Sequence, residues 1–319
     1  MTMKRSEGIF DAAVVGGGPA GLSAALTLGR GRWRVAVIDA GEPRNTPAAA
    51  AHNLFTRDGT PPLQLLAIAR EQLRPYTTVE LRAGRAVDAH AVDGGFRVLL
   101  RDGSTVGARR VLLATGVVDI LPEIPGFREL WGKSVFHCPF CHGWEVRGQP
   151  LALLGRGETG KELSRLLTRW SGDLVLLTDG PAELSGAGRA ELAALGVGLR
   201  EERVLRLEPD GHGIAAVLEG GGRVVRGALY ARPPQRQASD LAARLGCTLT
   251  EDGMVQVDAL GATTVPGVHA AGDLVSRMQQ VALAAAGGLA AAQGVHHSLA
   301  AEDRARRLGE AASPLPPFS

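Results

Sequence analysis

Cys138 and Cys141 stand three positions apart in the run His137-Cys-Pro-Phe-Cys-His-Gly-Trp-Glu145. That spacing puts both sulfurs on one face of a helical turn, close enough to close a small, easily opened disulfide ring. A helix N-terminus or an imidazolium beside such a pair lowers the thiol pKa and raises the thiolate fraction, and His137 and His142 flank it. The expected chemistry is thiol–disulfide exchange. His142 is the expected acid–base group and His137 its reserve, because an imidazole titrating near about 6.5 shuttles thiol protons at neutral pH.

Other chemistries fit the pair less well. A structural zinc site needs four ligands, yet the only other cysteine is Cys247, more than a hundred residues on, so no metal is expected. Cys138-x-x-Cys141-His142 also matches the pattern for covalent haem attachment, which belongs to exported proteins. A buried, inert pair is the third alternative. Five of the thirteen aromatic residues (Phe127, Trp131, Phe136, Phe140 and Trp144) fall within eighteen positions around the pair. They could line an apolar pocket for a small dithiol or serve as interdomain packing.

The 319 residues suffice for two domains, each with its own core. Basic residues (35) and acidic ones (33) nearly balance and are spread along the chain, which argues against a nucleic-acid partner. The polar opening Met1–Gly8 reads as lacking a signal peptide, and the longest apolar run, Val281 to Ala292, is too short to span a bilayer. A cytoplasmic address is therefore expected, and there an isolated cysteine pair is more plausibly catalytic than structural.

The elements that must position the pair begin at Phe10. A strand through Val15 runs into Gly16-Gly17-Gly18-Pro19-Ala20-Gly21 and then a helix, with Gly16, Gly18 and Gly21 on the G-x-G-x-x-G spacing. The first glycine makes the turn, the second admits a pyrophosphate, the third lets helix pack on strand, and the phosphates sit on the helix N-terminus. A second strand, Arg34–Ile38, ends in Asp39, 23 residues after Gly16, where a carboxylate accepts ribose hydroxyls. Polar loops at Asp39–Asn45 and His52–Gly59 decide nothing alone. Pro62–Leu73 reads as an amphipathic helix, Val79–Val87 and Gly95–Leu100 as strands, Asp102-Gly103 as a turn, and Val111–Gly116 as a buried strand ending in a small-residue turn. Gly267–Asp273 is a further strand ending in Gly-Asp. Gln279-Gln280-Val281 then opens a long alanine- and glycine-rich helix. Cys247 reads as a buried small hydrophobe, and the segment from Asp303 on as a charged, then proline-rich, mobile tail.

In this order the motifs resemble the low-molecular-weight thioredoxin reductase family over roughly residues 9–300. The resemblance implies an α/β fold of two Rossmann-like dinucleotide-binding domains of three-layer ββα type, the second inserted in the first. Residues 1–120 and 254–319 would form the FAD-binding domain, and 121–253 the NAD(P)-binding-like domain carrying the redox pair. It implies FAD contacts at Gly16, Gly18, Pro19, Ala20, Gly21, Asp39, Ala40, Arg44, Asn45, Asn53, Val87, Thr115, Gly116, Gly272, Asp273, Gln280 and Val281. It further implies a homodimer, with Cys141 facing the flavin and Cys138 exchanging with substrate.

Two departures from the family pattern bear on function. The second glycine loop, Gly155-Arg156-Gly157-Glu158-Thr159-Gly160, keeps its spacing, but the next strand ends in Thr178-Asp179-Gly180-Pro181. There is no arginine between Arg169 and Arg189, although a 2′-phosphate calls for bidentate arginines. NAD(P)H is thus admitted by the resemblance, but NADPH is disfavoured, and Asp179 is positioned in sequence either to hold an NADH ribose or to mark a vestigial site. The second departure is His142 where thioredoxin reductases carry aspartate. The His-flanked Cys-x-x-Cys-His is similar to the flavin-dependent dithiol oxidases of the gliotoxin and holomycin type. The expectation is FAD-dependent oxidation of a small dithiol. An NAD(P)H-dependent reductase of thioredoxin or a similar small thiol–disulfide protein, and a flavin redox sensor without turnover, are the alternatives.

Overall fold

The computed structural model describes residues 9–309. The polar opening and the proline-rich end, residues 1–8 and 310–319, lie outside the described residues. The strand Phe10–Val15 is the centre of a seven-stranded sheet. Val35–Asp39 pairs parallel to it on one side and Thr105–Leu113 parallel on the other. Alternate residues of these strands enter different cores. Ala12, Val14, Val35 and Val37 pack under the helices, while Ala13, Val15, Ala36 and Ile38 pack on the opposite face. Burial on both faces explains why these strands read as unbroken apolar runs.

The stretch Val79–Val87 is two strands rather than one. Val79–Ala83 extends the parallel sheet beside Val35–Asp39, and after Gly84-Arg85 the strand Ala86–Val92 forms an antiparallel hairpin with Gly95–Leu100. Alternation continues across the break, so the pattern alone does not reveal it. On the edge away from Phe10–Val15, Thr105–Leu113 then serves two further partners along its length. Its first half closes the hairpin (Phe96 opposite Ala108), and its second half takes Val268–Ala270 in parallel (Val268 opposite Val111).

The helices Pro19–Arg30 and Val281–Leu308 lie together on one face. A Cβ at Gly288 would overlap the Ala20 carbonyl, so glycine is what permits this close approach. The long helix continues through Asp303, contrary to the mobile tail expected there. Arg109 pairs with Asp303 (2.6 Å), Glu302 (3.0 Å) and Asp11 (3.1 Å), fastening the helix to the sheet by ion pairs that a linear reading cannot anticipate. Among the described residues no helix is long and apolar enough to cross a membrane.

A second sheet of five parallel strands runs in the order Val197–Arg200, Leu174–Leu177, Leu151–Leu154, Ala228–Ala231, Val135–Phe136, with a three-stranded antiparallel sheet over residues 204–226 beside it. The two chain crossings between the large sheets pair as an antiparallel ribbon, Val117–Asp119 with Gln235–Gln237. After the ribbon, Leu241, Ala242 and Cys247 pack into the core of the first sheet.

Candidate functional site

A cavity of about 530 Å³ opens where the first strand–glycine–helix unit, the polar loops after Asp39 and the redox segment meet. Its size is ordinary for a cofactor or substrate site, for which about 300–1,000 Å³ is typical. The glycine turn forms one wall. A Cβ at Gly16 would overlap the Ala114 carbonyl and one at Gly21 the Gly16 carbonyl, whereas the space in front of Gly18 is open. Gly18 is the N-cap of Pro19–Arg30 and no side chain caps that helix, so its first amides face the cavity. Open amides beside a glycine suit a pyrophosphate.

Asp39 accepts the Gly17 amide at 3.1 Å and Arg70 at 2.7 Å, which fixes its carboxylate on the rim. Arg44 crosses the floor. Its guanidinium grips both oxygens of Asp119 at 2.7 and 2.8 Å and also donates to Asp273 at 3.2 Å and Gln279 at 2.6 Å. Burial raises the Asp273 pKa, opposed by Arg44; Asp119 is held below the usual carboxylate range because Arg44 outweighs its burial.

Cys138 and Cys141 form a disulfide with Cα atoms 5.3 Å apart and face the same cavity. Cys138 is the N-cap of the short helix Pro139–His142, whose proline at the first position suits a helix start. The His142 ring stacks on Phe136 at 4.5 Å and 7°, and its buried Nε2 has no hydrogen-bond partner among the described residues. Burial lowers the His142 pKa, with Glu145 opposing and His52 adding to the shift. Burial, reinforced by Arg44, lowers His137 to about 4. Both imidazoles are therefore neutral at neutral pH, and the expected imidazolium influence on the sulfurs is absent. What remains is a neutral base able to accept a proton.

All the site residues singled out in the sequence border this cavity except three. Gly21 lies beneath the turn as its packing glycine, and Asn53 turns its amide onto Gln280 (2.6 Å). Val87 is replaced on the wall by Ala86, because neighbouring strand residues point to opposite faces. Of the aromatic cluster, Trp131 and Phe136 border the cavity, Phe127 is core, and Phe140 and Trp144 are exposed. Sequence reasoning missed His52, which borders the cavity and lies 3.5 Å from Glu145, and Gln279, which bonds both Arg44 and Gln235. Both stand in segments the sequence does mark, the polar loop from His52 and the run Gln279-Gln280-Val281, but nothing in their spacing assigned either a role.

The second glycine loop is built differently from the first. The Gly157 amide donates to the Ala182 carbonyl at 2.8 Å, so the 178–183 loop folds onto the N-terminus of the helix Gly157–Leu167. Arg156 donates to the carbonyls of Thr178 (2.6 Å) and Asp179. Asp179, expected either to hold an NADH ribose or to mark a vestigial site, accepts the Val204 amide at 2.8 Å.

Residues 10–288 match the family described as pyridine nucleotide-disulphide oxidoreductase. Thioredoxin reductase sirT of Leptosphaeria maculans is 34% identical, the alignment covering 94% of this chain and 97% of the relative. Thioredoxin reductase tcpT of Claviceps purpurea is 33% identical over 89% of this chain and 92% of its own. Among solved structures, HlmI superposes with a TM-score of 0.90 at 38% identity, covering 97% of this chain and 98% of that one. An oxidoreductase from Agrobacterium tumefaciens gives 0.87 at 36%, covering 92% and 99%. The match over most of the chain carries the implication of a flavin cofactor, and the cavity's open glycine wall fits one. With the Cys138–Cys141 pair facing that cavity, the chain belongs to the pyridine nucleotide-disulphide oxidoreductase family as a thioredoxin reductase-like thiol–disulfide oxidoreductase.

Proposed function

We propose that this enzyme oxidises a small dithiol to a disulfide and passes the electron pair through FAD to oxygen or another acceptor. The observation that carries this reading is the closed second glycine loop. Its helix amide is taken by Ala182 and its central Arg156 by the enzyme's own carbonyls, whereas the first loop is open. An enzyme with one receptive dinucleotide cradle is suited to take electrons from a thiol substrate rather than from a nicotinamide.

In the proposed site the amides after Gly18 hold the FAD pyrophosphate and Asp39 the ribose. Asp273, Gln280 and Val281, which line the same cavity, would hold the rest of the cofactor, and the N-terminus of the long helix would favour negative charge there. When bound, FAD supplies two-electron acceptance from the reduced cysteines and delivery to the final acceptor. The chain's own steps are thiol exchanges. A substrate thiolate bonds to the Cys138 sulfur while the Cys138–Cys141 bond breaks, leaving the electron pair on Cys141. The second substrate thiol gives its proton to His142 and attacks the substrate sulfur of the mixed disulfide, expelling Cys138 as thiolate. The product leaves with one new S–S bond and the cysteine pair holds two more electrons.

The proposal includes a cytoplasmic homodimer. It also moves the return to the FAD-binding unit from residue 253 to about 237, on the ground that Leu241 and Cys247 already pack with the first sheet.

The test is anaerobic mixing of the yellow holoenzyme with dithiothreitol, NADPH or NADH. Bleaching by the dithiol alone, with recovery in air, is the expected result. Prompt bleaching by NADPH overturns it in favour of a disulfide reductase, and no bleaching by any of the three favours a sensor.

A further inference from the structure

Gln280 stands at the N-cap of the long helix in extended backbone, and its side chain reaches the redox pair. The amide nitrogen lies 3.8 Å from the Cys138 sulfur and 4.0 Å from that of Cys141. Its other end is occupied, since Oε1 accepts Asn53 Nδ2 at 2.6 Å. A carboxamide has one accepting and one donating end. With the oxygen committed to Asn53, the NH2 group faces the sulfurs. Asn53 reaches this position from left-handed backbone (φ 58°), a conformation asparagine tolerates better than most residues.

A disulfide sulfur is a weak acceptor, so these contacts contribute little while the pair is oxidised. Once the bond opens, one sulfur becomes an anion in the same place, and a hydrogen bond to an ionised acceptor is roughly twice as strong as a neutral one. The contact therefore strengthens as the disulfide is broken, which is the condition for accelerating that step. The flanking imidazoles supply no positive charge in competition, because burial keeps both neutral.

We propose that Gln280 is a catalytic residue of thiol–disulfide exchange, a neutral donor that stabilises the thiolate released from the opened pair, and that Asn53 is the positioning residue that turns its amide toward sulfur. This deepens the dithiol-exchange reading and rests on it. As substrate sulfur bonds to Cys138, the electron pair of the broken bond stays on Cys141, and the Gln280 N–H donates to it. A lower leaving-group pKa speeds departure.

The experiment uses the reduced holoenzyme under argon with iodoacetamide as probe, following the alkylation rate of Cys141 against pH by mass spectrometry. Gln280→Met keeps the shape and removes the donor, and Gln280→Glu replaces it with a repelling carboxylate. Both are expected to move the midpoint upward, so that alkylation below the wild-type midpoint slows by about tenfold, the equivalent of one pKa unit. Asn53→Ser is expected to move it in the same direction by less. Midpoints equal to wild type in both Gln280 variants overturn the proposal. If neither folds, an unmoved Asn53→Ser midpoint does so. Alkylation reads the thiolate without any substrate or acceptor, so failure of the dithiol oxidase reading and failure of this inference are separate results.

Discussion

Arg156, the second residue of the second glycine loop, lies 3.6 Å from the carboxylate of Asp179 at the end of the neighbouring strand. Asp179 also accepts the Val204 amide at 2.8 Å. On the proposed reading, Asp179 serves to brace this loop, and its removal is not expected to open a nicotinamide site. Asp179→Ala is expected to lower stability by about 1–2 kcal/mol, the cost of an unsatisfied amide, and to leave NADPH unable to bleach the flavin. Urea unfolding and anaerobic absorbance check the two halves.

Arg44 holds three partners from two distant parts of the chain, Asp119 on one side and Asp273 with Gln279 on the other, so its loss should act on both cofactor retention and stability. Arg44→Met leaves Asp119 and Asp273 facing the same cavity without a counter-charge. A loss of about 2–3 kcal/mol is expected, from the strength of hydrogen bonds to charged groups, with faster release of FAD in dialysis. Asp119→Asn in the same chain should restore part of the stability by removing one of the two uncompensated, largely buried charges. Additive losses in the double variant would show that the carboxylates do not oppose one another.

The motifs legible in the sequence were those whose chemistry is local. Gly16, Gly18 and Gly21 make one turn, and Cys138 and Cys141 one helical turn, so spacing alone identifies them. The strand Thr105–Leu113, which has three partners, is legible only at its end, where Val111, Leu112 and Leu113 are buried in succession. What the sequence could not reveal depends on contacts across long separations. Asn53 meets Gln280 over 227 positions, Arg44 meets Gln279 over 235, and Arg109 anchors Asp303 over 194. The closure of the second glycine loop was hidden for a related reason. Its glycine spacing is intact, and what fills the site is the carbonyl of Ala182, which has no side-chain signature.

His269 is buried in the strand beside Leu112 and, by burial and then the charge of Arg110, its pKa falls from 6.5 to about 4. At neutral pH the ring is neutral folded and unfolded alike, so it imposes no penalty. Between pH 6.5 and about 4 the unfolded chain binds a proton that the folded one refuses, and stability declines as pH falls. His269→Gln removes this term. The fall in unfolding free energy from neutral to acid pH should be smaller in the variant by roughly 2–3 kcal/mol. Parallel curves for the two proteins would exclude His269 as a source of acid sensitivity.

His142 has the unpartnered Nε2 that a proton acceptor needs, and its stacking on Phe136 holds the ring in place beside the pair. Because burial lowers its pKa below 6.5, it stays a base through neutral pH and is lost only as pH falls below its own midpoint. Dithiol-driven bleaching of the wild-type enzyme should therefore decline on the acid side. In His142→Gln the rate should drop by about 10²–10⁴, the usual contribution of a positioned base, and should rise with pH only as the substrate thiol ionises. His137 also borders the cavity and is neutral, but burial and then the charge of Arg44 oppose its protonation. If His142→Gln keeps the wild-type rate together with its acid limb, proton acceptance passes to His137. The double variant would then lose what the single one kept.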